Sequence, residues 1–244
     1  MVWSCLVSIL PGMAQTEKLT DYVNPFVGTD GYGNVYPGAQ IPFGGIQISP
    51  DTDSRFYDAA SGYKYNHLTL MGFSLTHLSG TGIPDLGDFL FIPGTGEMKL
   101  EPGTHEDPDQ GYRSRYSHDK EWASPNYYAV ELADYGVKAE MTSGVRSGMF
   151  RFTYPESDNA FIMIDMNHTL WQSCEWSNLR MINDSTITGY KLVKGWGPER
   201  HVYFTATFSK KLTGLRFVQD KKPVIYNTCL LYTSDAADDL IGVD

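Results

Sequence analysis

Cysteine is scarce in this 244-residue sequence, with three residues only, at positions 5, 174 and 229. They lie too far apart for a CxxC metal or redox pair, and an odd number gives no closed disulfide framework. Cys174 therefore reads as a small buried apolar side chain. Runs of basic residues are missing as well. The chain carries 19 Lys+Arg against 29 Asp+Glu, a net charge of −10. Nucleic acid and anionic membrane are thereby poor candidate partners, because both need a cationic footprint. No apolar run approaches the roughly 20 residues of a membrane helix, so no transmembrane segment is expected. GxSxG, HExxH and Cys–His nucleophile patterns are absent. GTDGYGNVYPGA (residues 28–39) has three closely spaced glycines, but no GKS or GKT follows and no strand–helix pair flanks it, so it reads as turns rather than a phosphate cradle.

Aromatic and turn-forming residues are abundant, with 16 Tyr, 12 Phe, 24 Gly and 13 Pro. Together they favour many short strands. From residue 126 onward the alternation is of period 2. Tyr128, Val130 and Leu132 share one face, as do Val137, Ala139 and Met141, then Phe150, Phe152 and Tyr154, and later Val202, Phe204, Ala206 and Phe208. FIMIDM (161–166) is apolar on both faces and reads as a central strand. Between residues 24 and 96, strands such as GGIQISP and FLFIPG are joined by long Gly-rich loops, of a length that usually carries function. A single helical turn is expected near Asn66–Gly72. The fold class expected is all-β, an antiparallel β-sandwich.

The two ends read differently from the body. Residues 1–14 are uncharged and mostly apolar, and Gly12 and Ala14 fit the small-residue positions of a cleavage site. A signal peptide is expected there, although a cationic n-region is lacking. Cys5 has no lipobox before it. The stretch CLLYTSDAADD opens residues 229–244 and reads as a translated sequencing adapter, with native sequence ending near Thr228. Those sixteen residues hold four acids and no base, so without them the charge falls from −10 to −6. The sandwich domain is then expected over residues 20–228.

Several candidate sites compete with plainer readings. DTDSRFYD (51–58) starts like a calcium loop but lacks the glycine at its sixth position, and Gly62 stands at the twelfth instead of Glu. A looser Ca²⁺ site through Asp51, Asp53 or Asp58 stays open beside solvated turn carboxylates. FSLTHLSGTGIPDLGDF (73–89) sets His77 near Asp85 and Asp88. That spacing suits a metal cluster, an acid–base pair, or a hydrogen-bonded structural histidine. Asn167-His168-Thr169 and Asn183-Asp184-Ser185 are glycan acceptor sequons. Trp122, Trp171, Trp176 and Trp196 could stack on sugar rings or fill a core.

Taken in order, DYVNPFVGTDGYGNVYPGAQIPFGGIQISPDT, DAASGYKY, GFSLTHLSGTGIPDLGD, YYAVELADYGVKAEMTSGVRSGMFRFTYP and GWGPERHVYFTATFSK resemble the N-terminal domain of glycoside hydrolase family 92. The resemblance covers about residues 20–210. It implies a largely bacterial, secreted or periplasmic, possibly cell-surface α-mannosidase that removes terminal mannose, α-1,2-linked for preference, from glycans by calcium-dependent inverting hydrolysis. It also implies a sandwich followed by an (α/α)₆ barrel, with the active site between them. The catalytic acid, the base and most calcium ligands would sit on that barrel. This chain then holds no catalytic residue and no metal ligand of its own, and is inactive alone. Its share of the mannose pocket would be Gly31 and Tyr32, then Asp58, Ala60 and Ser61, then His77, Thr81, Asp85 and Asp88. Tyr32 stands where relatives often have His, and Ala60 where many have Cys. The competing expectation is a non-catalytic carbohydrate-binding sandwich.

Overall fold

The computed structural model describes residues 17–54, 57–214, 216–219 and 222–224. The expected signal peptide at 1–14, Cys5, Cys229 and the 229–244 tail lie outside the described residues. Among the described residues sixteen strands follow one another: β1 (Ala39–Gln40), β2 (Gln47–Asp51), β3 (Thr69–Leu70), β4 (Gly72–Ser74), β5 (Leu90–Thr95), β6 (Ser114–Arg115), β7 (Glu121–Ser124) and β8 (Tyr127–Leu132). After these come β9 (Val137–Ser143), β10 (Gly148–Thr153), β11 (Ala160–Asp165), β12 (Ser173–Asn183), β13 (Thr186–Lys194), β14 (Arg200–Thr207), β15 (Phe217–Gln219) and β16 (Lys222–Val224). The only described helices are short 3-10 turns at Leu19–Tyr22, Tyr57–Ala59, Pro108–Gln110 and His118–Lys120. None is long and apolar enough to cross a membrane.

Two antiparallel sheets make the sandwich. One has the order β1-β2-β4-β5-β11 and the other β10-β9-β8-β7. Ile48 and Phe73 of the first sheet meet Tyr128, Val130, Leu132, Val137, Ala139 and Met141 of the second in one buried cluster. Each of those larger side chains contributes ~1.5–3 kcal/mol through removal from water. The alternation read in the sequence is the alternation that packs: Phe150 and Phe152 turn inward between exposed Arg151 and Thr153.

A third sheet, β12-β13-β14, is a meander laid beside the sandwich. Its inner face carries Ile187, Gly189, Lys191 and Val193, all buried. Phe204 of β14 packs tilted against Phe89 at 4.5 Å and edge-on against Phe91 at 5.9 Å between ring centroids. The opposite face is open to solvent at Trp176 and Tyr203.

The structure corrects four local expectations. FIMIDM forms β11 at the edge of its sheet, paired to β5 alone, and is half-buried rather than central. Both of its faces are apolar because Met163 packs on the Met71–Tyr112 cluster and Phe161 sets its edge against Tyr135, without full burial of either. The helical turn near Asn66–Gly72 is a tight turn running into β3 and β4, since Thr69 and Leu70 pair with Arg115 and Ser114. Cys174 is half-buried, its thiol directed at Asn167 Oδ1 and the Trp176 carbonyl. None of Trp122, Trp171, Trp176 and Trp196 is a core residue; all four are half exposed.

Candidate functional site

The long loops of the first half converge on the end of β2. Asp51 closes that strand with its side chain fully buried. His77 Nε2 lies 2.7 Å from Asp51 Oδ1, and His168 Nε2 lies 2.8 Å from Asp51 Oδ2. His77 Nδ1 faces the Gln47 carbonyl oxygen at 2.7 Å, so both of its ring nitrogens look at acceptors. Burial alone would raise the Asp51 carboxyl, but the two histidines outweigh it and hold the group well below its ordinary value of 3.8. Gly62 makes this approach possible. Its φ is +85°, and a Cβ there would stand 2.2 Å from Asp51 Oδ1.

A second set of charges continues from the first. Lys191 Nζ donates to the His168 carbonyl at 2.5 Å and pairs with Asp88 Oδ1 at 3.0 Å, with both side chains fully buried. Arg200 Nη1 donates to Asp88 Oδ2, and Thr76 Oγ1 donates to the same oxygen at 2.7 Å. Burial opposes ionisation of Asp88, but Lys191 and Arg200 hold its carboxyl below the ordinary value. One carboxylate shared by two cations leaves burial as the stronger influence on Lys191, whose ammonium is lowered. Asp85 accepts from the backbone N–H of Leu86 at 2.6 Å and of Trp196 at 3.1 Å. A continuous polar network thus runs from β2 through the 76–89 loop to the meander.

Backbone bonds pin the loops around this network. Gly80 N–H donates to the Asn34 carbonyl, Gly87 N–H to Thr76 and Leu170 N–H to Leu86. Gly87, at φ +75°, lets the chain pass so close that a Cβ would meet Leu170 Cγ at 2.6 Å. Leu86, Phe89 and Trp171 also hold positive φ, at 73°, 57° and 71°. Such values cost ~1–3 kcal/mol each in residues with a Cβ and cluster at functional sites. A separate buried group anchors the far side of the 57–65 loop. Tyr63 and Tyr128 hydroxyls donate to Glu121 Oε1 at 3.0 and 2.5 Å, and His118 Nδ1 lies 2.6 Å from Glu121 Oε2.

The residues expected at the pocket differ in exposure. Gly31 and Tyr32 are exposed, Tyr32 at 92%, with the Gly31 carbonyl accepting from Lys64 Nζ at 2.9 Å. Thr81 is half-buried and donates to the Ile83 carbonyl. His77, Asp85 and Asp88 are buried in the network just described. Ala60 and Ser61 are fully buried, and neither presents surface. Asp58 belongs to the turn Tyr57–Ala59, and its side chain lies outside the described residues. Among the described residues no group of three or more His, Cys, Asp or Glu side chains could hold a metal ion. Asp51 is occupied by two histidines, and Asp53 lies 3.3 Å from His105 Nε2. The described residues do not form a calcium cage.

The model of the glycosyl hydrolase family 92 N-terminal domain matches residues 22–238. The chain belongs to this family. The match ends ten residues inside the segment that reads as adapter sequence. A family 92 glycosyl hydrolase named ccman5 has a similar structure, at 29% identity and a TM-score of 0.63 over 76% of this chain and 26% of its own. The family 92 inverting mannosidase of Bacteroides thetaiotaomicron is similar at 25% identity and a TM-score of 0.56, over 72% of this chain and 23% of its own. An uncharacterised secreted glycosidase of Arthroderma benhamiae is 30% identical over 139 residues, 56% of this chain and 17% of that protein. The chain therefore spans about a quarter or less of each relative's length.

Sequence reasoning missed several residues of this family 92 domain. His168 was legible only as the middle of a sequon, yet it is 7% exposed and ion-paired to Asp51. Lys191 occupies an inward position, and the alternation Ile187, Gly189, Lys191, Val193 would have placed it in the core. Arg200 pairs with Asp88 across more than a hundred residues of sequence, and no local pattern signals that.

Proposed function

We propose that this chain is the N-terminal sandwich of a secreted or periplasmic glycosidase that removes terminal α-linked mannose from glycans with inversion of configuration. The observation that carries the reading is the family 92 match along nearly the whole chain. Similarity to an enzyme described as an inverting mannosidase supports the substrate and the stereochemistry. Similarity to a secreted glycosidase and the apolar N-terminus support the location.

Inverting hydrolysis needs a protonated carboxyl for the leaving oxygen and a carboxylate to activate water, about 6.5–9.5 Å apart. Asp51 and Asp88 suit neither role. Both carboxyls are held below their ordinary value, Asp51 against its two histidines and Asp88 against Lys191 and Arg200, so neither retains a proton near neutrality. Both are also walled off from solvent, so neither can activate water. Their work is to fix the loops. We therefore assign the acid, the base and the calcium site to parts of the enzyme beyond this chain. The sandwich shapes one wall of the sugar pocket from the loops at Gly31–Tyr32, 57–63 and 76–82.

The test is to follow the anomeric proton of mannose released from α-1,2-mannobiose by the full-length enzyme. The β-anomer is expected to appear first, and a calcium chelator to stop the reaction. First release of the α-anomer, or release that persists in chelator, would overturn the corresponding part of the proposal. A second reading, a carbohydrate-binding module without hydrolysis, draws on the four half-exposed tryptophans. It requires a full-length protein that binds mannosides and cleaves none.

A further inference from the structure

Trp171 combines three features that packing does not explain. Its φ is +71°, a conformation that costs free energy for any residue with a Cβ and most for a bulky one. Its indole is 54% exposed, so burial does not repay the strain. Its position is nonetheless fixed on every side. Leu170 N–H donates to Leu86 O at 2.9 Å, Thr169 Oγ1 donates to Gln172 O at 2.8 Å, and Gln172 Nε2 donates to Pro84 O at 2.7 Å. Three residues upstream, His168 is tied to Asp51. A rigid frame thus holds an aromatic side chain out of the core at an energetic cost.

The indole projects beside the pocket loops. Tyr57, itself 55% exposed, sets its ring edge-on to Trp171 with centroids 4.7 Å apart. This contact bridges the 57–63 loop to the 166–172 loop above the Asp51 network. It buttresses one edge of the indole and leaves Trp171 half open.

We infer that Trp171 is the stacking platform for a pyranose ring in the sugar pocket. The axial C–H bonds on one face of a pyranose are weakly polarised and pack on the electron-rich face of an indole, while the hydroxyls point outward to polar groups. A pre-fixed aromatic loses little freedom on binding, which is what the strained and pinned backbone supplies. The inference rests on the mannosidase reading for the identity of the sugar. The stacking role itself does not depend on that identity.

The test uses the 244-residue chain and ligand-observed saturation-transfer NMR, which tolerates self-association of the receptor. The probes are methyl α-D-mannopyranoside, α-1,2-mannobiose, and the methyl glucosides and galactosides. The variants are Trp171→Ala, Trp171→Gly and, as a control on the outer face of the meander, Trp176→Ala. Saturation transfer to the mannosides is expected with the wild-type chain and with Trp176→Ala, and its loss with both Trp171 variants. Glycine takes a positive φ freely, so Trp171→Gly is expected to melt no lower than wild type while losing the signal. A residue needed only for the fold would show the opposite, a lowered melting temperature. Transfer that survives both Trp171 substitutions, that fails equally in Trp176→Ala, or that never appears for any pyranoside overturns the stacking role. Trp171-dependent transfer confined to glucosides or galactosides upholds it and overturns mannose as the sugar.

Discussion

Asp51 is the residue on which the loops depend. It accepts from His77 and His168, which lie on two different loops, while fully removed from water. Substituting Asp51→Asn leaves both histidines without their carboxylate and is expected to cost ~3–5 kcal/mol, the usual loss when one member of a buried pair is removed. Urea denaturation of the variant against wild type measures it, and a loss below about 1 kcal/mol would show the network to be ornamental to stability. A pH dependence follows from the same residue and from Asp88. Both carboxyls lie below the ordinary 3.8 in the folded chain, so the unfolded chain takes up protons first as pH falls. Their stabilisation is complete above that value and lost below it. The urea midpoint should hold level at about pH 5–7 and drop steeply below about pH 4, with a shallower drop in Asp51→Asn. A midpoint that rises on acidification would contradict this.

At the scale of the element, the β-meander is joined to the sandwich by an apolar link and a charged one. Phe204 is the apolar link, through Phe89 and Phe91, and the pairing of Lys191 and Arg200 with Asp88 is the charged one. Phe204→Ala is expected to cost about 3 kcal/mol, the low end for a large aromatic because the ring is only half-buried. Hydrogen exchange should show β12–β14 losing protection before β8–β9 in that variant. Uniform loss across both sheets would mean that the meander is no separate unit. Strand existence was legible for the segments with clean alternation: Val137, Ala139 and Met141 announce β9, and Phe150 with Phe152 announces β10. The edge position of β11 was not, because an apolar run says that both faces touch something and nothing about how completely. The tryptophans misled for a related reason. Their size favours burial on average, while Trp171 is held outward by a backbone conformation that no local sequence pattern discloses. The candidate site was legible as a set of Gly-rich loops around His77, but its partners came from residues 26, 91 and 114 positions away from His77 along the chain, at Asp51, His168 and Lys191. Such distances lie beyond any spacing rule.

For the molecule as a whole, much apolar surface faces outward. Phe43 is fully exposed, Val145 is exposed on the neighbouring β9–β10 turn and Met149 at the start of β10, and the Val145 carbonyl accepts from Gly45 N–H. Exposed apolar surface of this kind marks an interface, and in the proposed enzyme the rest of the protein would cover it. Sedimentation velocity on the 244-residue chain is expected to show concentration-dependent association at micromolar levels. A monodisperse, heat-stable monomer would show that this surface needs no cover. The division of labour, with the sugar wall on this domain and the chemistry beyond it, is tested most directly by assaying two proteins side by side. These are the 244-residue chain and the full-length product of the gene recovered from source DNA, both incubated with α-1,2-mannobiose. Mannose is expected from the full-length protein and none from the chain. Release by the chain alone, or no release by either, would contradict the assignment.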